Sequence, residues 1–235
     1  MDNEQLYNDI KARTNGEIYI GVVGPVRTGK STFIKRFMDV MVLPRMEDVH
    51  GKDRTRDELP QSSSGKMIMT TEPKFVPKDA AVIRLNKDTE VKVRLIDCVG
   101  YMVKGAEGHE EGGKERLVRT PWFSEEIPFT KAAVIGTQKV IHDHATIGIV
   151  VTTDGSITEI PPENYLEAEE RTIKELQTIQ KPFVVLVNSK KPYGEEAKEK
   201  TEELEKRYGV CALAVNCEQL KEEDIHLILE SVLYE

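Results

Sequence analysis

Residues 18–41 read IYIGVVGPVRTGKSTFIKRFMDVM and join an apolar run, a glycine-bounded loop and an amphipathic segment. The octet Gly24–Ser31 matches the pattern GxxxxGK(S/T) completely. The apolar run Ile18–Val23 predicts a buried strand that leads into the octet, and Ser31–Met41 predicts a helix that leads out of it. Because a strand and a helix flank the octet on the expected sides, the pattern indicates a phosphate-binding P-loop rather than a chance glycine loop.

The remaining apolar runs predict one mostly parallel sheet. Four of them have the length and apolar content that is typical of strands in a covered parallel sheet: Val91–Ile96, Thr146–Val151, Phe183–Val187 and Ala212–Val215. A fifth run, Ala81–Leu85, alternates weakly and is separated from Val91–Ile96 by the turn residues 86–89. We therefore expect these two runs to pair as a hairpin, which places one antiparallel strand at an edge of the sheet.

Helical segments alternate with these strands. Besides Ser31–Met41, the predicted helices cover residues 1–15, 164–180, 195–208 and 219–233. The alternation predicts an α/β fold of the doubly wound class, with helices on both faces of the sheet, as a single domain over residues 1–235. Two stretches, 43–75 and 101–128, fit no regular element, and we expect both to be long functional loops near the nucleotide site.

Composition excludes several other classes of protein. The 235 residues include 41 acidic and 33 basic side chains, and the net charge of −8 argues against a nonspecific nucleic-acid binder or a polybasic membrane binder. No apolar run approaches the roughly 20 residues of a bilayer span, and the acidic start is unlike a secretory signal. Three cysteines without CxxC spacing argue against a disulfide scaffold or a zinc site, so we expect a cytoplasmic protein.

The P-loop predicts a site for a nucleoside triphosphate and Mg²⁺. Its glycines allow successive main-chain N–H groups to point at phosphate oxygens, and the following helix adds the positive end of its dipole. Lys30 is expected to reach the β- and γ-phosphates, and the Ser31 hydroxyl to ligate Mg²⁺. The predicted nucleotide-binding residues of this segment are Gly24, Pro25, Val26, Arg27, Thr28, Gly29, Lys30, Ser31 and Thr32.

An acidic metal ligand is predicted where the next apolar strand ends. Val91–Ile96 is followed by Asp97, and Gly100 three residues later completes the motif Asp-x-x-Gly. Asp97 would hold Mg²⁺ directly or through water, and the Gly100 N–H could bond the γ-phosphate. The alternative is that Asp97 serves only as a helix cap.

Two threonines between these motifs are candidates for completing the metal site. P-loop switch proteins use a threonine at this point of the chain to ligate Mg²⁺ and sense the γ-phosphate. Thr70 and Thr71 are the candidates, and the sequence does not choose between them. The alternative is that both residues simply open a strand, since threonine favours strands.

The residues that would choose the base depart from a guanine-binding pattern. The order of motifs resembles the GTPase (TRAFAC) side of the P-loop superfamily, in which an Asn-Lys-x-Asp motif accepts hydrogen bonds from guanine. Here the strand Phe183–Val187 leads into Asn188-Ser189-Lys190-Lys191, so Lys191 stands where the carboxylate belongs. Lysine only donates, so we expect adenine or weak base selectivity. Asn188 is expected to brace either the P-loop or the base.

The catalytic group is left open by the sequence. Tyr101 stands where small GTPases place a water-orienting glutamine, so catalysis is expected to use a threonine, an inserted loop or a neighbouring subunit. Arg27, inside the P-loop, lies along the phosphates as a built-in arginine finger, takes the role that potassium plays in some related proteins, or points away into solvent. The predicted catalytic residues are Lys30, Asp97, Thr70, Thr71 and Arg27.

Several longer motifs carry a family resemblance. They span essentially the whole chain: Gly21–Lys35, Asp57–Ser62, Met69–Pro77, Asp97–Tyr101, Thr120–Trp122, Thr152–Gly155 and Glu167–Arg171. Together they resemble the stage IV sporulation protein A family, the coat morphogenetic ATPases of endospore-forming bacteria. The resemblance implies that Lys30 is the Walker lysine, that Asp97 is the Walker-B aspartate, and that Thr70 and Thr71 are the sensor threonines.

The same resemblance implies a function and partners. It implies Mg²⁺-dependent ATP hydrolysis coupled to self-assembly into a polymer, in the mother cell cytoplasm at the membrane around the forespore. It also implies contacts with other coat morphogenetic proteins and with a small membrane-bound amphipathic peptide. Members of the family are longer, so the chain resembles the N-terminal ATPase domain without the C-terminal domains.

Two alternative functions remain compatible with the sequence. One is a structural assembly module that binds a nucleotide without turning it over. The other is a true GTPase-type switch, which a clear preference for GTP over ATP would support. The lead hypothesis is an ATPase whose hydrolysis changes the two long loops and so permits assembly.

Overall fold

The computed structural model of this protein describes Asn8, Ala12 and residues 16–60, 72–84 and 90–234, and the structural statements below concern these residues. The predicted helix over residues 1–15 is described by the structure only at Asn8 and Ala12, and both residues are helical. The remainder of that prediction lies outside the described residues.

The strands follow the predicted apolar runs. Within the described residues they are β1 (Glu17–Val23), β2 (Lys74–Arg84), β3 (Glu90–Asp97), β4 (Glu110–Glu111), β5 (Lys114–Glu115), β6 (Leu117–Val118), β7 (Ile127–Pro128), β8 (Ile147–Thr153), β9 (Phe183–Asn188) and β10 (Ala212–Val215).

Six of these strands form the central sheet, in the order β10-β9-β8-β1-β3-β2. All neighbours pair in parallel except β2 and β3, which are antiparallel. The mostly parallel sheet with one antiparallel edge strand is therefore confirmed. In the register of β1 and β3, Val22 lies opposite Asp97, so the chain segments that follow the two strands meet at the same edge of the sheet.

Helices alternate with the strands of the central sheet, and the last helix follows β10. They are α1 (Lys30–Phe37), α2 (Val49–Glu58), α3 (Phe129–Lys139), α4 (Leu166–Thr178), α5 (Glu195–Tyr208) and α6 (Glu222–Tyr234). Helices α1 and α3 each continue into a π-helical turn, at Met38–Val42 and Val140–His144. Short 3-10 turns lie at Leu43–Arg45 and Pro162–Tyr165.

Two apolar cores cover the sheet, one on each face. The first is built with α1 and α6 and includes Ile20, Phe33, Leu95 and Ile228. The second is built with α4, α5 and the π-helical turn after α3, and it includes Ile96, Val150, Ile173 and Leu204. Helices on both faces, as predicted, are thus confirmed.

The prediction that residues 43–75 form a loop is wrong for part of that stretch. It contains α2, whose N-cap Asp48 accepts a hydrogen bond from the His50 N–H at 3.1 Å, and β2 already begins at Lys74. Helix α2 buries only Gly51 and Thr55, so its sequence has almost no apolar periodicity to reveal it. Residues 61–71 lie outside the description.

The stretch 101–128 also contains regular structure. Strands β4 and β5 form one small antiparallel pair, and β6 and β7 form another. Each of these strands has two residues, which is too short for an alternating pattern to appear in the sequence.

Candidate functional site

The P-loop segment (Gly24–Ser31) joins the end of β1 to the start of α1. Three of its residues have positive φ angles, 128° at Gly24, 61° at Arg27 and 95° at Gly29. Gly29 is the N-cap of α1, and the first helical hydrogen bond runs from the Phe33 N–H to the Gly29 carbonyl at 2.9 Å. The first N–H groups of α1 precede that bond, which is the arrangement that binds anions at helix N-termini.

The two glycines that bound this turn lie against neighbouring strands. A Cβ atom on Gly24 would lie 2.4 Å from the carbonyl oxygen of Val151, in β8. A Cβ atom on Gly29 would lie 2.3 Å from Asn188 Nδ2, at the end of β9. Both positions therefore require glycine for close approach as well as for their backbone angles.

Asn188 braces the P-loop segment through its side-chain amide. Its Nδ2 donates to the Thr28 carbonyl oxygen at 3.0 Å, and its Oδ1 accepts from the Cys217 N–H at 3.0 Å. The side chain is 6% exposed. Of the two roles expected from the sequence, the structure supports the brace.

Lys30, Ser31 and Asp97 meet beneath the P-loop segment. The Ser31 hydroxyl donates to Asp97 Oδ2 at 2.8 Å, which joins the start of α1 to the end of β3. Lys30 Nζ donates to the Pro25 carbonyl oxygen at 2.5 Å, and the Thr28 hydroxyl donates to the same oxygen at 3.0 Å. The predicted lysine, serine and aspartate therefore lie together, although their role in binding stays a prediction.

Burial shifts the pKa of both charged groups at this site. The pKa of Lys30 is lowered, mainly because burial disfavours its charged form, while the Asp97 carboxylate acts in the opposite sense. The pKa of Asp97 is raised by burial, although the Ser31 hydrogen bond and the Lys30 charge partly oppose that shift. Both groups are ones whose charged forms a ligand of opposite charge would stabilise.

One oxygen of Asp97 provides a test of whether the site fits Mg²⁺. Asp97 Oδ1 is buried and has no hydrogen-bond partner among the described residues. A buried acceptor without a partner is costly unless a ligand satisfies it. Carboxylate and hydroxyl oxygens are ligands that Mg²⁺ prefers, so Asp97 and Ser31 fit a metal ion that also contacts phosphates.

The segment after β3 lies directly on the P-loop segment. The Tyr101 N–H donates to the Gly24 carbonyl oxygen at 3.2 Å, and the Val26 N–H donates to the Tyr101 carbonyl oxygen at 2.9 Å. A Cβ atom on Gly100 would lie 2.2 Å from the Gly24 carbonyl oxygen and 2.6 Å from Lys30 Nζ. Gly100 is therefore next to the lysine ammonium group, and the predicted bond from its N–H to a γ-phosphate stays a prediction.

The side chain of Tyr101 points to α4. Its hydroxyl donates to Glu175 Oε2 at 2.5 Å, and the Arg171 guanidinium lies 4.1 Å from the centre of its ring. Gln138 Nε2 donates to the other Glu175 oxygen at 3.4 Å. Burial, followed by the Glu175 hydrogen bond, raises the pKa of Tyr101. These partners were not predicted, because Tyr101 and Glu175 are far apart in sequence and no motif links them.

Arg27 lies next to a small apolar cluster at this end of the molecule. The cluster joins the P-loop segment to the segments around it, through Val26, Tyr101, Val103, Ala106, Ile160, Tyr165 and Ala168. Arg27 is half-buried, and burial raises the pKa of Tyr165, while the Thr158 hydrogen bond and then the Arg27 charge oppose that shift. The roles expected of Arg27 from the sequence stay predictions.

Four predicted positions add little to this geometry. Thr70 and Thr71 lie outside the described residues, so their predicted role at the metal stays untested. Lys191 is exposed in the loop after β9, and its N–H donates to the Ser189 hydroxyl at 3.0 Å. Thr32 is half-buried in the first turn of α1.

A second buried charge cluster was missed by sequence reasoning. Glu169 on α4 is fully buried, and its two oxygens accept from the Thr152 hydroxyl at 2.6 Å and from Lys200 Nζ at 2.9 Å. In the sequence both charged residues belong to predicted helices, and although Glu169 lies within the family motif Glu167–Arg171, that motif does not indicate its burial or its partner. Among the described residues, no helix is long and apolar enough to cross a membrane.

Comparison with known proteins places the chain in a family. The model of the "Stage IV sporulation protein A, ATPase domain" family matches residues 1–235. Stage IV sporulation protein A of Clostridioides difficile (strain 630) is 57% identical over 233 residues, covering 99% of this chain. Its counterpart in Bacillus subtilis (strain 168) is 49% identical over 235 residues, covering 100%. The chain spans about half the length of these curated relatives, 48% in each case.

Solved structures resemble the chain more distantly. Two crystal structures of SsGBP mutation variants align with TM-scores of 0.48 and sequence identities of 14% and 15%. The alignments cover 98% of this chain and 60% and 62% of those chains.

Proposed function

We propose, because the chain belongs to the stage IV sporulation protein A family through its ATPase domain, that it binds ATP with Mg²⁺ and hydrolyses ATP to ADP and phosphate. The observation that carries the proposal is the buried Asp97 Oδ1, which has no hydrogen-bond partner within the described residues and lies next to a buried lysine and the first turn of α1. Such a group of charges is costly without a ligand, and a metal–triphosphate complex complements all of it.

Each residue has a role in that proposal. Asp97 and Ser31 would hold Mg²⁺, which would neutralise charge on the β- and γ-phosphate oxygens. Lys30 would exchange its hydrogen bond with the Pro25 carbonyl for the phosphates. The N–H groups at the start of α1 and the Gly100 N–H would complete the cradle around the transferred group.

The reaction transfers the γ-phosphoryl group to water. The water oxygen forms a bond to the γ-phosphorus, the bond to the β–γ bridging oxygen breaks, and the water proton passes to the phosphate product or to solvent. The Tyr101 hydroxyl is engaged with Glu175, so it does not replace a water-orienting glutamine. We assign that role to Thr70 or Thr71, on the family resemblance, with Arg27 as a candidate for stabilising the transition-state charge.

Adenine is the proposed base. The support is the exposed Lys191, a donor without acceptor capacity, at the position where guanine binders place a carboxylate. Competition between GTP and ATP for the site tests this choice. Displacement of ATP by a lower concentration of GTP would overturn the assignment of adenine.

Assembly is the proposed outcome of hydrolysis. The family resemblance supports a self-assembling module of the spore coat in the mother cell cytoplasm at the forespore surface. Its partners would be further copies of the chain, other coat morphogenetic proteins and a small membrane-bound amphipathic peptide. Light scattering of the purified chain with and without Mg²⁺–ATP measures whether residues 1–235 are sufficient for self-assembly.

The central experiment compares the parent chain with Lys30→Ala. Calorimetry measures ATP binding in the presence of Mg²⁺, and single-turnover assays with γ-labelled ATP measure the release of phosphate. The matched control is Lys198→Ala, since Lys198 is an exposed lysine that lies 3.7 Å from Glu202 on the surface of α5.

We expect the parent and the control to bind ATP and release phosphate, whereas Lys30→Ala loses at least about 100-fold in turnover. Binding without phosphate release would support the alternative of a nucleotide-bound assembly module. If the folded parent gave no binding heat with Mg²⁺ and ATP, the proposed function would be wrong.

A further inference from the structure

We propose that Tyr101 is a positioning residue, whose phenol is held by Glu175 of α4 so that the segment after β3 keeps the arrangement on the P-loop segment that turnover requires. This inference rests on the proposed ATPase function and adds a residue pair to it. Glu175 is part of no motif at the nucleotide site, and it acts only through Tyr101.

Tyr101 is hydrogen-bonded to the P-loop segment through both its main-chain N–H and its main-chain carbonyl. Its N–H donates to the Gly24 carbonyl oxygen at 3.2 Å, and its carbonyl accepts from the Val26 N–H at 2.9 Å. Gly100, the residue before it, lies close enough to Lys30 that a Cβ atom would be 2.6 Å from Nζ. A displacement of Tyr101 therefore moves the Gly100 N–H relative to the lysine and the P-loop segment.

The side chain of Tyr101 is fixed from the opposite direction. The hydroxyl donates to Glu175 Oε2 at 2.5 Å, while the Arg171 guanidinium lies 4.1 Å from the ring centre. Arg171 in turn lies 3.3 Å from Glu175 Oε1, one helical turn along α4. The ring also belongs to the apolar cluster that contains Val26, so the side chain is held at its ring and at its hydroxyl.

The hydrogen bond of the Tyr101 hydroxyl and the packing of its ring involve different partners, so a substitution can remove the first and keep the second. A phenylalanine at this position keeps the ring in the apolar cluster and loses only the hydrogen bond to Glu175. Glu175 would retain Arg171 and Gln138 as partners, so its carboxylate would not be left without any. The expected defect is therefore one of position rather than of folding.

The test compares Tyr101→Phe with Tyr208→Phe. Tyr208 is a suitable control because its hydroxyl is buried and has no hydrogen-bond partner in the part of the chain that the structure describes. For Tyr101→Phe we expect kcat to fall about 10-fold, since small displacements near reacting groups are costly, while the dissociation constant for ATP changes less than about threefold. For the control, neither quantity should change.

A double-mutant cycle assigns the effect to the pair. Glu175→Ala should lower kcat like Tyr101→Phe, and the double variant should be no slower than either single variant, because both remove the same hydrogen bond. Glu175→Gln keeps an acceptor oxygen and should restore part of the rate. Glu170→Gln, five residues before Glu175 on α4, serves as the control for a changed carboxylate on that helix.

The outcomes separate this inference from the proposed function. If the parent does not hydrolyse ATP, both fail together. If the parent hydrolyses ATP and Tyr101→Phe does so equally fast, or loses ATP affinity in proportion to its rate, only the positioning role of Tyr101 is overturned. Additive effects in the cycle would overturn the assignment of Glu175.

Discussion

The Glu169–Lys200 cluster and the Lys30–Asp97 cluster both bury a carboxylate with an ammonium group. Only in the first cluster do both carboxylate oxygens have hydrogen-bond partners among the described residues. Glu169 accepts hydrogen bonds on both oxygens, from Thr152 and from Lys200. In the second cluster Asp97 accepts from Ser31 on one oxygen, and the other oxygen is buried without a partner among the described residues.

The two lysines differ in the same way. Lys200 Nζ donates to Glu169 at 2.9 Å, and Glu203 lies 3.6 Å from it. Lys30 Nζ donates to a carbonyl of its own loop, and its pKa is lowered by burial. Burial of a charge is tolerated where partners are complete and is costly where they are not. The first cluster therefore ties α4 and α5 to the sheet, while the second costs stability until a ligand binds.

The largest effect on stability is expected from a substitution that disrupts the Glu169–Lys200 cluster. Glu169→Gln should lower the free energy of unfolding by about 3 kcal/mol, because it leaves the largely buried Lys200 ammonium with only the partly exposed Glu203 as an opposite charge. Urea unfolding followed by circular dichroism measures the change. The double variant Glu169→Gln/Lys200→Met should be more stable than the single variant, since no charge is then buried without a partner.

A surface pair provides the control for that measurement. Glu202→Gln removes one partner of the exposed Lys198–Glu202 pair on α5 and should change stability by less than about 0.5 kcal/mol. Equal losses for Glu169→Gln and Glu202→Gln would show that burial of the first cluster adds nothing to its strength.

The next effect concerns the Lys30–Asp97 cluster, where a substitution should lower activity without lowering stability. Asp97→Asn should lower Mg²⁺-dependent ATP turnover by about 100-fold, because an amide is a poor metal ligand. Its stability without nucleotide should be equal to that of the parent or higher, since the variant no longer buries a carboxylate whose pKa is raised. Phosphate release and urea unfolding of one preparation measure both quantities.

Asp143→Asn is the control, since Asp143 is an exposed carboxylate 3.5 Å from Lys139. A stability loss in Asp97→Asn comparable to that of Glu169→Gln would remove the distinction between the two clusters.

A smaller effect is expected at Asn188, which braces the P-loop segment. Asn188→Ala removes hydrogen bonds to the Thr28 carbonyl and the Cys217 N–H and should cost about 1–2 kcal/mol of stability. ATP affinity should also fall, because the P-loop segment loses its support. The control is Gln177→Ala, whose amide donates to the Tyr208 carbonyl at 2.8 Å at an exposed site. Loss of stability without loss of affinity would show that the brace does not shape the site.

The sequence predicts two kinds of feature well. One is local structure, and the other is the meeting of chain segments at the shared carboxyl edge of neighbouring parallel strands. The strand, loop and helix around Lys30 form one continuous pattern, and they were found almost to the residue. The meeting of Ser31 with Asp97 spans many residues, yet it was predictable because the carboxyl ends of neighbouring parallel strands share an edge.

What the sequence did not reveal depends on tertiary packing. Glu169 sits in a helix that looks polar, and nothing in its spacing shows that α5 supplies Lys200. The contact of Tyr101 with Glu175 likewise depends on how α4 lies against the segment after β3. Helix α2 escaped detection because it buries so little that its periodicity is weak. These features follow from how elements dock, which no short pattern records.

The smallest predicted effect extends the comparison to a half-buried charge on α6. Burial lowers the pKa of His226 below its ordinary value of 6.5, and Arg45 acts in the same sense, while Glu222 and Glu223 oppose the shift. In the unfolded chain the imidazole takes up a proton near pH 6.5, whereas in the folded chain it does so only at lower pH. As the pH falls through 6.5, the unfolded state therefore binds more protons and the parent loses stability.

His226→Gln cannot titrate, so it should lose less stability than the parent between pH 7.5 and pH 5.5 in parallel urea unfolding experiments. Glu222 lies 3.8 Å from the imidazole and itself pairs with Arg45, so the environment of His226 is partly compensated and the effect should be the smallest of the four. A stability difference between parent and variant that does not change with pH would mean that His226 is solvated like an ordinary surface histidine. If the parent instead became more stable relative to the variant as the pH falls, the two glutamates would outweigh burial and raise the pKa of His226. Partial burial on α6 would then not destabilise a charge in the way that burial does in the Lys30–Asp97 cluster.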